Sequence, residues 1–459
     1  MCSRKNNPDA TASTHDGDRH DTIAAIATAQ GRSGIGVVRI SGPNSHTIAT
    51  HICQRDIEIR RATLCGFHDA NGLVLDRGLV VRFAAPHSFT GEEVIEFHCH
   101  GSPVVLGELV NICIALGARR ANPGEFTERA FLNGQLDLAQ AESVIDLIDA
   151  RSAAAARAAV RSLEGEFSRL AHLLVEQLIE VRVYVEGALD FSEEDVDFLS
   201  NAELTSKIAL LTETLSNTRQ AADSGRLLRD GVAIAIAGAP NVGKSTLLNA
   251  LIGYDAAITT DIPGTTRDVL REYHHFDGLP VTLFDTAGLR ESTDPIEQEG
   301  ISRASQTIRQ ADVVLSLRTT EIAEVELSLT PHTRVIEVVN KIDLAGEAAR
   351  VKAIEDRSTV YISASNKDGL TMLVEQIKKM CGYRGEQEST FIARQRHVDA
   401  LLEADAHIKK GLDVLAQRDY PELAAEDFKL AQQSLGRITG EFHSDDLLGE
   451  IFSRFCIGK

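Results

Sequence analysis

The stretch that most constrains this chain is Gly238-Ala239-Pro240-Asn241-Val242-Gly243-Lys244-Ser245, which fits the phosphate-loop pattern G-x-x-x-x-G-K-[ST]. Its context gives the pattern mechanical meaning. Val232 to Ala237 is a short apolar run suited to a buried parallel strand, and Leu247, Leu248, Leu251 and Ile252 recur at helical spacing after it. Strand, loop and helix in that order turn backbone N–H groups inward at the positive end of a helix, where phosphate oxygens bind. Lys244 then neutralises β- and γ-phosphates, Ser245 ligates Mg²⁺, and the run Asn241 to Thr246 lines the phosphates.

Three later motifs narrow the ligand. Asp285-Thr286-Ala287-Gly288 follows the strand-like Val281 to Phe284, so a carboxylate at a strand end reaches Mg²⁺ through water while Gly288 lets an N–H approach the γ-phosphate. Asn340-Lys341-Ile342-Asp343 follows the apolar run Val335 to Val339. The Asp343 carboxylate can accept from N1–H and the 2-amino group of guanine, donors that adenine lacks, a discrimination of roughly 1–3 kcal/mol by analogy with base readout. Ser363-Ala364-Ser365, after the short strand Val360 to Ile362, backs the base with N–H groups. The four elements together predict a GTP-binding α/β domain with a mostly parallel, doubly wound sheet. Leu289 follows Gly288 where Ras-like GTPases carry the water-orienting Gln, so hydrolysis needs another source.

Composition sets the outer limits. At 459 residues and 43% hydrophobic content the chain has room for two to four packed domains. No apolar run approaches the ~18 residues of a membrane span, and residues 1–20 lack the apolar core of a signal peptide, so a cytoplasmic protein with no membrane partner is expected. Seven cysteines without a C-x-x-C pair predict reduced thiols rather than a disulfide framework. The formal charge of −20 works against indiscriminate nucleic-acid binding and requires a local patch or a helper protein.

Taken in order, residues 1–20 read as a polar disordered tail, after which Asp21 to Ala27 begins a strand. Gly31 to Gly36 leads into Val37 to Ile40, a hairpin rather than a dinucleotide fingerprint because no helix follows. Strands at Gly78–Phe83 and Glu93–His98 and a helix from Pro103 to Leu116 make 21–121 a small α+β domain. His98 and His100 share a strand face while Cys99 points away, a poor ligand set for zinc, and Pro86 to Gly91 reads as a surface loop. From Asn122 the apolar spacing turns helical, through Leu136, Val144 and Ile148 and again from Leu170 to Val185. Ser192 to Asp197 is an acidic loop, Leu204 to Leu215 a further helix, and Gly225 to Gly231 the handover to the nucleotide domain. The expected partition is a helical part over 122–225, the nucleotide domain over 226–381, and a second helical part over 382–459. Neither helical flank closes a core alone, so one discontinuous bundle with the nucleotide domain inserted is the economical fold.

Other stretches carry a specific likeness. Gly31 to Gly36 with Arg39, Phe89-Thr-Gly91-Glu, Glu96-Phe-His-Cys-His-Gly101, Pro123 to Asn133, Thr260-Asp261-Ile262-Pro263-Gly264-Thr265-Thr266 and the terminal Phe455-Cys456-Ile-Gly-Lys459 together resemble the tRNA-modification GTPase family usually called MnmE or TrmE, from about Asp21 to Lys459. The resemblance implies a folate-binding N-terminal domain that dimerises, a K⁺-stimulated GTPase, and a FAD-dependent MnmG-type partner in a heterotetramer. Together these modify C5 of the wobble uridine of certain tRNAs. It assigns Arg39 and Glu96 to a tetrahydrofolate one-carbon derivative, Arg39 for the glutamate tail and Glu96 for pterin donors. Gln135 and Lys459 join that set, with Gln135 standing where the family usually has Lys. Asn241, with loop carbonyls of Thr260, Ile262 and Thr265, would hold K⁺ beside the phosphates, and Thr266 would complete the Mg²⁺ shell. Glu297 would orient the attacking water; by its residue type alone it reads equally as a solvated helix carboxylate.

Cys456 reads as a packing residue among Phe452, Phe455 and Ile457 or, by the same resemblance, as a nucleophile for uridine C6. Two other functions share parts of this pattern: a ribosome-assembly GTPase acting as a nucleotide-dependent binding switch, and a folate-binding scaffold whose GTPase reports ligand state. The folate-type N-terminus and Cys456 count against the first; a modification assay separates the second.

Overall fold

The structure, a computed structural model, describes residues 21–190, 202–254, 271–285, 311–322, 333–354, 357–383, 385, 391–417, 421–441, 445–453, 455, 456 and 458. The chain divides into two compact units, Met1–Glu142 with His443–Lys459, and Ser143–Phe442.

The first unit is built on six strands, β1 (Ile23–Ile26), β2 (Ser33–Ser41), β3 (Thr63–His68), β4 (Val74–Phe83), β5 (Val94–Gly101) and β6 (Arg119–Arg120), in the order β3-β4-β5-β2-β1-β6. All neighbours are antiparallel except β1 and β6. Helices Ser45–Cys53 and Pro103–Ala115 bury Ile48, Ile52, Leu106 and Leu109 against Val38, Ile40, Ile95 and Phe97. The first of these helices has no sequence forecast. Serine, threonine and histidine make it a weak helix former, and burial of Ile48, Ala49 and Ile52 decides its state. The helix Glu125–Leu132 is met by the chain's last helix, Asp445–Ser453. Gly124 sits at that contact with φ 70°, and a Cβ there would lie 2.6 Å from the carbonyl oxygen of Phe452.

The second unit holds a seven-stranded sheet, β7 (Val232–Gly238), β8 (Arg271–Phe276), β9 (Leu279–Asp285), β10 (Val313–Arg318), β11 (Arg334–Val339), β12 (Arg350–Ile354) and β13 (Arg357–Tyr361). The order is β12-β13-β11-β10-β7-β9-β8, parallel through the centre with an antiparallel strand at each edge. Edge strands β8 and β12 carry His274, His275, Arg350 and Lys352, which hides them from a search for apolar runs. Ile234, Ile236, Leu283, Leu315 and Val338 form one buried layer with helices Lys244–Ile252 and Leu370–Cys381.

Sequence from both sides of the sheet forms the helical layer. Glu166–Asp190 and Ala202–Asp230 pack with Gln395–Gln417 and Pro421–Thr439. Phe167 stacks on Phe391 at 4.5 Å, and Ser162 Oγ donates to the carbonyl of Ile392 (3.1 Å) while accepting from its N–H (2.8 Å), across 230 residues of sequence. This is a discontinuous bundle with the nucleotide domain inserted. One expectation is corrected: the helix placed at Leu204–Leu215 runs unbroken to Asp230, so Gly225 is not part of a handover loop. A Cβ on Gly225 would lie 2.3 Å from the carbonyl oxygen of Phe391; the glycine serves close approach rather than a break.

Candidate functional sites

The nucleotide site lies within the second unit, at the carboxyl ends of β7, β11 and β13. Asn241 takes φ 63° and Gly243 takes φ 99°, the left-handed turns that let the loop enter the helix beginning at Lys244. Lys244 Nζ donates to the carbonyls of Gly238 and Ala239 at 2.9 Å each. Val242 is buried, whereas Ser245 and Thr246 are exposed at the start of the helix. Asn340 ties the motifs together. Its Nδ2 donates to the carbonyl of Val242 (2.9 Å), and its Oδ1 accepts from the N–H of Ala364 (3.0 Å). Asn340 is 2% exposed, and its amide holds the two loops together. Lys341 Nζ reaches the carbonyl of Asn241 (2.7 Å), while Ser363 Oγ donates to Asp343 Oδ1 (2.7 Å) and lies 3.1 Å from Ser365 Oγ. Asp343 is exposed, with its second oxygen given no partner by that bond. Asp285 ends β9, opposite Ile236 of β7.

Thr260, Asp261, Ile262, Pro263, Gly264, Thr265, Thr266, Thr286, Ala287, Gly288, Glu297 and Lys459 lie outside the described residues. No group of three or more metal-ligating side chains occurs among the described residues.

The second site lies within the first unit. Arg39 on β2 faces Glu96 on β5 in register, with Nε 3.0 Å and Nη2 2.8 Å from Glu96 Oε1. The Arg39 guanidinium also lies 5.4 Å from the ring of Phe89 and 5.7 Å from that of Phe126. His98 Nε2 sits 3.3 Å from Glu96 Oε2, and His100 Nδ1 sits 2.8 Å from Asp76 Oδ1, so each imidazole has a carboxylate partner. Gln135 is exposed beside Gly91, with its Cγ and Nε2 3.2 Å from where a Cβ on that glycine would stand. The tail returns to this neighbourhood: the Gly124 N–H lies 3.4 Å from the carbonyl of Cys456, and a Cβ on Gly458 would lie 2.1 Å from the carbonyl of Ile26. The Cys456 side chain is exposed; Cys53, Cys65, Cys99, Cys113 and Cys381 are buried.

Beside Arg39 lies an ionic network that periodicity and motif spacing do not reveal. Arg129, 7% exposed, donates to Asp21 Oδ1 (2.6 Å), Glu125 Oε1 (3.0 Å), both Glu92 oxygens (3.1 and 3.2 Å) and the Asp21 carbonyl (2.9 Å). Arg119 shares Asp21 and Glu125. Burial pushes the Glu125 carboxyl up, but hydrogen bonds from Arg119 and the Asn122 N–H, with both guanidinium charges, hold it below its usual range. Burial opposes the charge on Arg129, and the Glu92 charge with the Asp21 bond more than restores it. The sequence signal was a pair of charged residues, Glu125 and Arg129, one turn apart on the inward face of a short helix.

A family sequence model described as "GTP-binding protein TrmE N-terminus" matches residues 22–135, and one described as "MnmE helical domain" matches 138–456. The chain is 50% identical over 450 residues to proteins named "tRNA modification GTPase MnmE" from Stutzerimonas stutzeri and Ectopseudomonas mendocina, covering 96% of this chain and 99% of each relative. Among solved structures, the G domain of the T. maritima FeoB iron transporter aligns with 32% of this chain and 97% of its own at 23% identity and a TM-score of 0.22. Identity held over 96% of its length, with both family models matched, makes this chain a member of the MnmE family.

Proposed function

We propose that the chain is a K⁺-stimulated GTPase of tRNA modification. With a FAD-dependent partner of the MnmG type, it adds a carboxymethylaminomethyl or aminomethyl group to C5 of the wobble uridine of certain tRNAs, using a folate one-carbon unit. The observation that carries the GTP reading is Asn340, whose one buried amide bonds both the phosphate loop at Val242 and the base loop at Ala364. A phosphate cradle and a guanine-reading carboxylate are thereby held as one site. The names of the relatives, about half identical throughout, support tRNA as the object of the chemistry.

In this reading Lys244 neutralises β- and γ-phosphates, Ser245 and Thr266 hold Mg²⁺, and Asp343 selects guanine. Asn241 with the carbonyls of Thr260, Ile262 and Thr265 holds K⁺, and Glu297 orients water. Bound Mg²⁺ and K⁺ would supply positive charge where negative charge develops on the phosphates. Arg39 and Glu96 fit a folate by donor chemistry: a guanidinium for the tail carboxylates and a carboxylate for pterin N–H groups. Here the two neutralise each other, so a ligand carboxylate at Arg39 would displace Glu96 from it. Gln135 and Lys459 complete that set, and Cys456 is the candidate nucleophile toward uridine C6. The proposed division is 21–121 for folate and homodimerisation, 122–225 and 382–459 for the bundle, and 226–381 for GTP, with the helix Ala202–Asp230 crossing the second boundary and with action in the cytoplasm as a heterotetramer with the partner. Among the described residues no helix is long and apolar enough to cross a membrane.

Mass spectrometry of tRNA nucleosides from cells lacking this protein tests the reading. The C5-modified wobble uridine should disappear and return on re-expression; its persistence would remove tRNA modification from the account.

A further inference from the structure

Two aromatic walls flank Arg39, and they come from different places. Phe89 belongs to the loop before β5, and Phe126 to the first turn of the helix Glu125–Leu132. Neither wall is held by its own sequence neighbours alone. The Phe89 loop is closed by Ser88 Oγ donating to the Glu92 carbonyl (2.6 Å) and by Asn133 Nδ2 donating to the Thr90 carbonyl (2.7 Å). The Glu92 carboxylate in turn accepts from Ser41 Oγ (2.6 Å), two residues beyond Arg39 on β2. Glu125, which begins the other wall, is 6% exposed and takes its bonds from Arg119 and Arg129. Among the described contacts, Arg129 is the group that touches both Glu92 and Glu125.

We propose that Arg129 is a positioning residue for an anion-binding site at Arg39: its planar guanidinium ties the Phe89 loop to the Phe126 helix and so fixes the slot in which Arg39 meets a ligand's carboxylates. This rests on the reading of Arg39 as the group that takes the glutamate tail of a folate, and deepens it by naming what sets affinity for the tail. The geometry requires a forked donor. Arg129 uses Nη1 for Glu92 and the Asp21 carbonyl and Nη2 for Asp21 and Glu125, and the single ammonium of a lysine cannot span acceptors on both sides. Arg119 is the internal control, because it shares Asp21 and Glu125 yet makes no described bond to Glu92.

The test uses the full chain with Arg129→Lys, Glu92→Gln and Arg119→Lys, titrated with 5-formyltetrahydrofolate and with the same folate whose glutamate carboxylates are amidated. Arg129→Lys and Glu92→Gln should each bind the charged folate at least tenfold more weakly than the parent, with the amidated ligand changed less than about twofold. Arg119→Lys should keep more of the parental affinity for the charged folate. Equal weakening of both ligands would make Arg129 a merely structural residue and overturn the proposal, as would parental affinity in both variants. Hydrogen exchange gives an arm that needs no ligand. In Arg129→Lys and Glu92→Gln the amides of 88–92 and 125–128 should exchange faster, while β2 and β5 keep their protection. If the parent binds neither folate, the folate reading fails, and this exchange pattern decides the positioning role: its presence supports it and unchanged exchange overturns it. Should Arg129→Lys not fold, Glu92→Gln, which keeps shape and the Ser41 contact, decides by the same criteria.

Discussion

Asp343 is exposed and gives one carboxylate oxygen to Ser363, so the guanine-reading role proposed for it can be tested at a single side chain. Asp343→Asn should weaken GTP by roughly 1–3 kcal/mol and shift preference toward xanthosine triphosphate, because an amide can donate to a 2-oxo group. Competition binding of the two nucleotides checks this, and unchanged GTP affinity would leave Asn340 to Asp343 as a strand-end turn. The thiols divide as sharply. Burial pushes the Cys99 and Cys113 thiols up to about 12 and that of Cys381 up to about 11, whereas Cys456 is exposed. Iodoacetamide should therefore alkylate Cys456 in the native chain well before any of these three, as peptide mass mapping will read. Cys456→Ser should keep GTP hydrolysis and abolish tRNA modification; modification at the parental rate would make Cys456 a packing residue.

At the scale of elements, the phosphate loop was legible because its spacing encodes its geometry: glycines at the turns, a lysine at the first helical position, and apolar residues on both sides. Asn241 adds a prediction of its own. Since it sits at φ 63°, Asn241→Gly removes the amide without straining the backbone. This variant should bind GTP but lose the stimulation that KCl gives over NaCl at equal ionic strength, by roughly 10²–10³-fold, and equal rates in both salts for the parent would remove the cation from the mechanism. The helix Ala202–Asp230 was legible only in its first half, because Gly225 looks like punctuation in sequence and is a contact in space. Gly225→Ala should lower the melting temperature: overpacking against Phe391 costs roughly 1–3 kcal/mol, more than the ~1 kcal/mol of helix propensity gained. Edge strands β8 and β12 stayed hidden because His274 and His275 in one and Arg350 and Lys352 in the other interrupt the apolar pattern. The Arg129 network stayed hidden because its members are scattered from Asp21 to Arg129 and meet only through tertiary structure.

At the scale of the whole molecule, each unit answers to different conditions. In the first unit, the depressed carboxyl of Glu125 contributes stability that is fully present above its ordinary value of 4.5 and is lost as pH falls through its lower folded value. Thermal melts from pH 6 to pH 3 should show this unit weakening at the acid end, and Glu125→Gln should flatten that slope. The second unit depends on sequence order. Ser162 and Phe167 find Ile392 and Phe391 only after the entire nucleotide domain has been made, and Gly124 waits still longer for Phe452. During synthesis the early helices must therefore stand with Phe167 uncovered while more than two hundred residues follow, so a ribosome stalled near Cys381 displays an apolar face that chaperones would recognise and that a finished chain conceals.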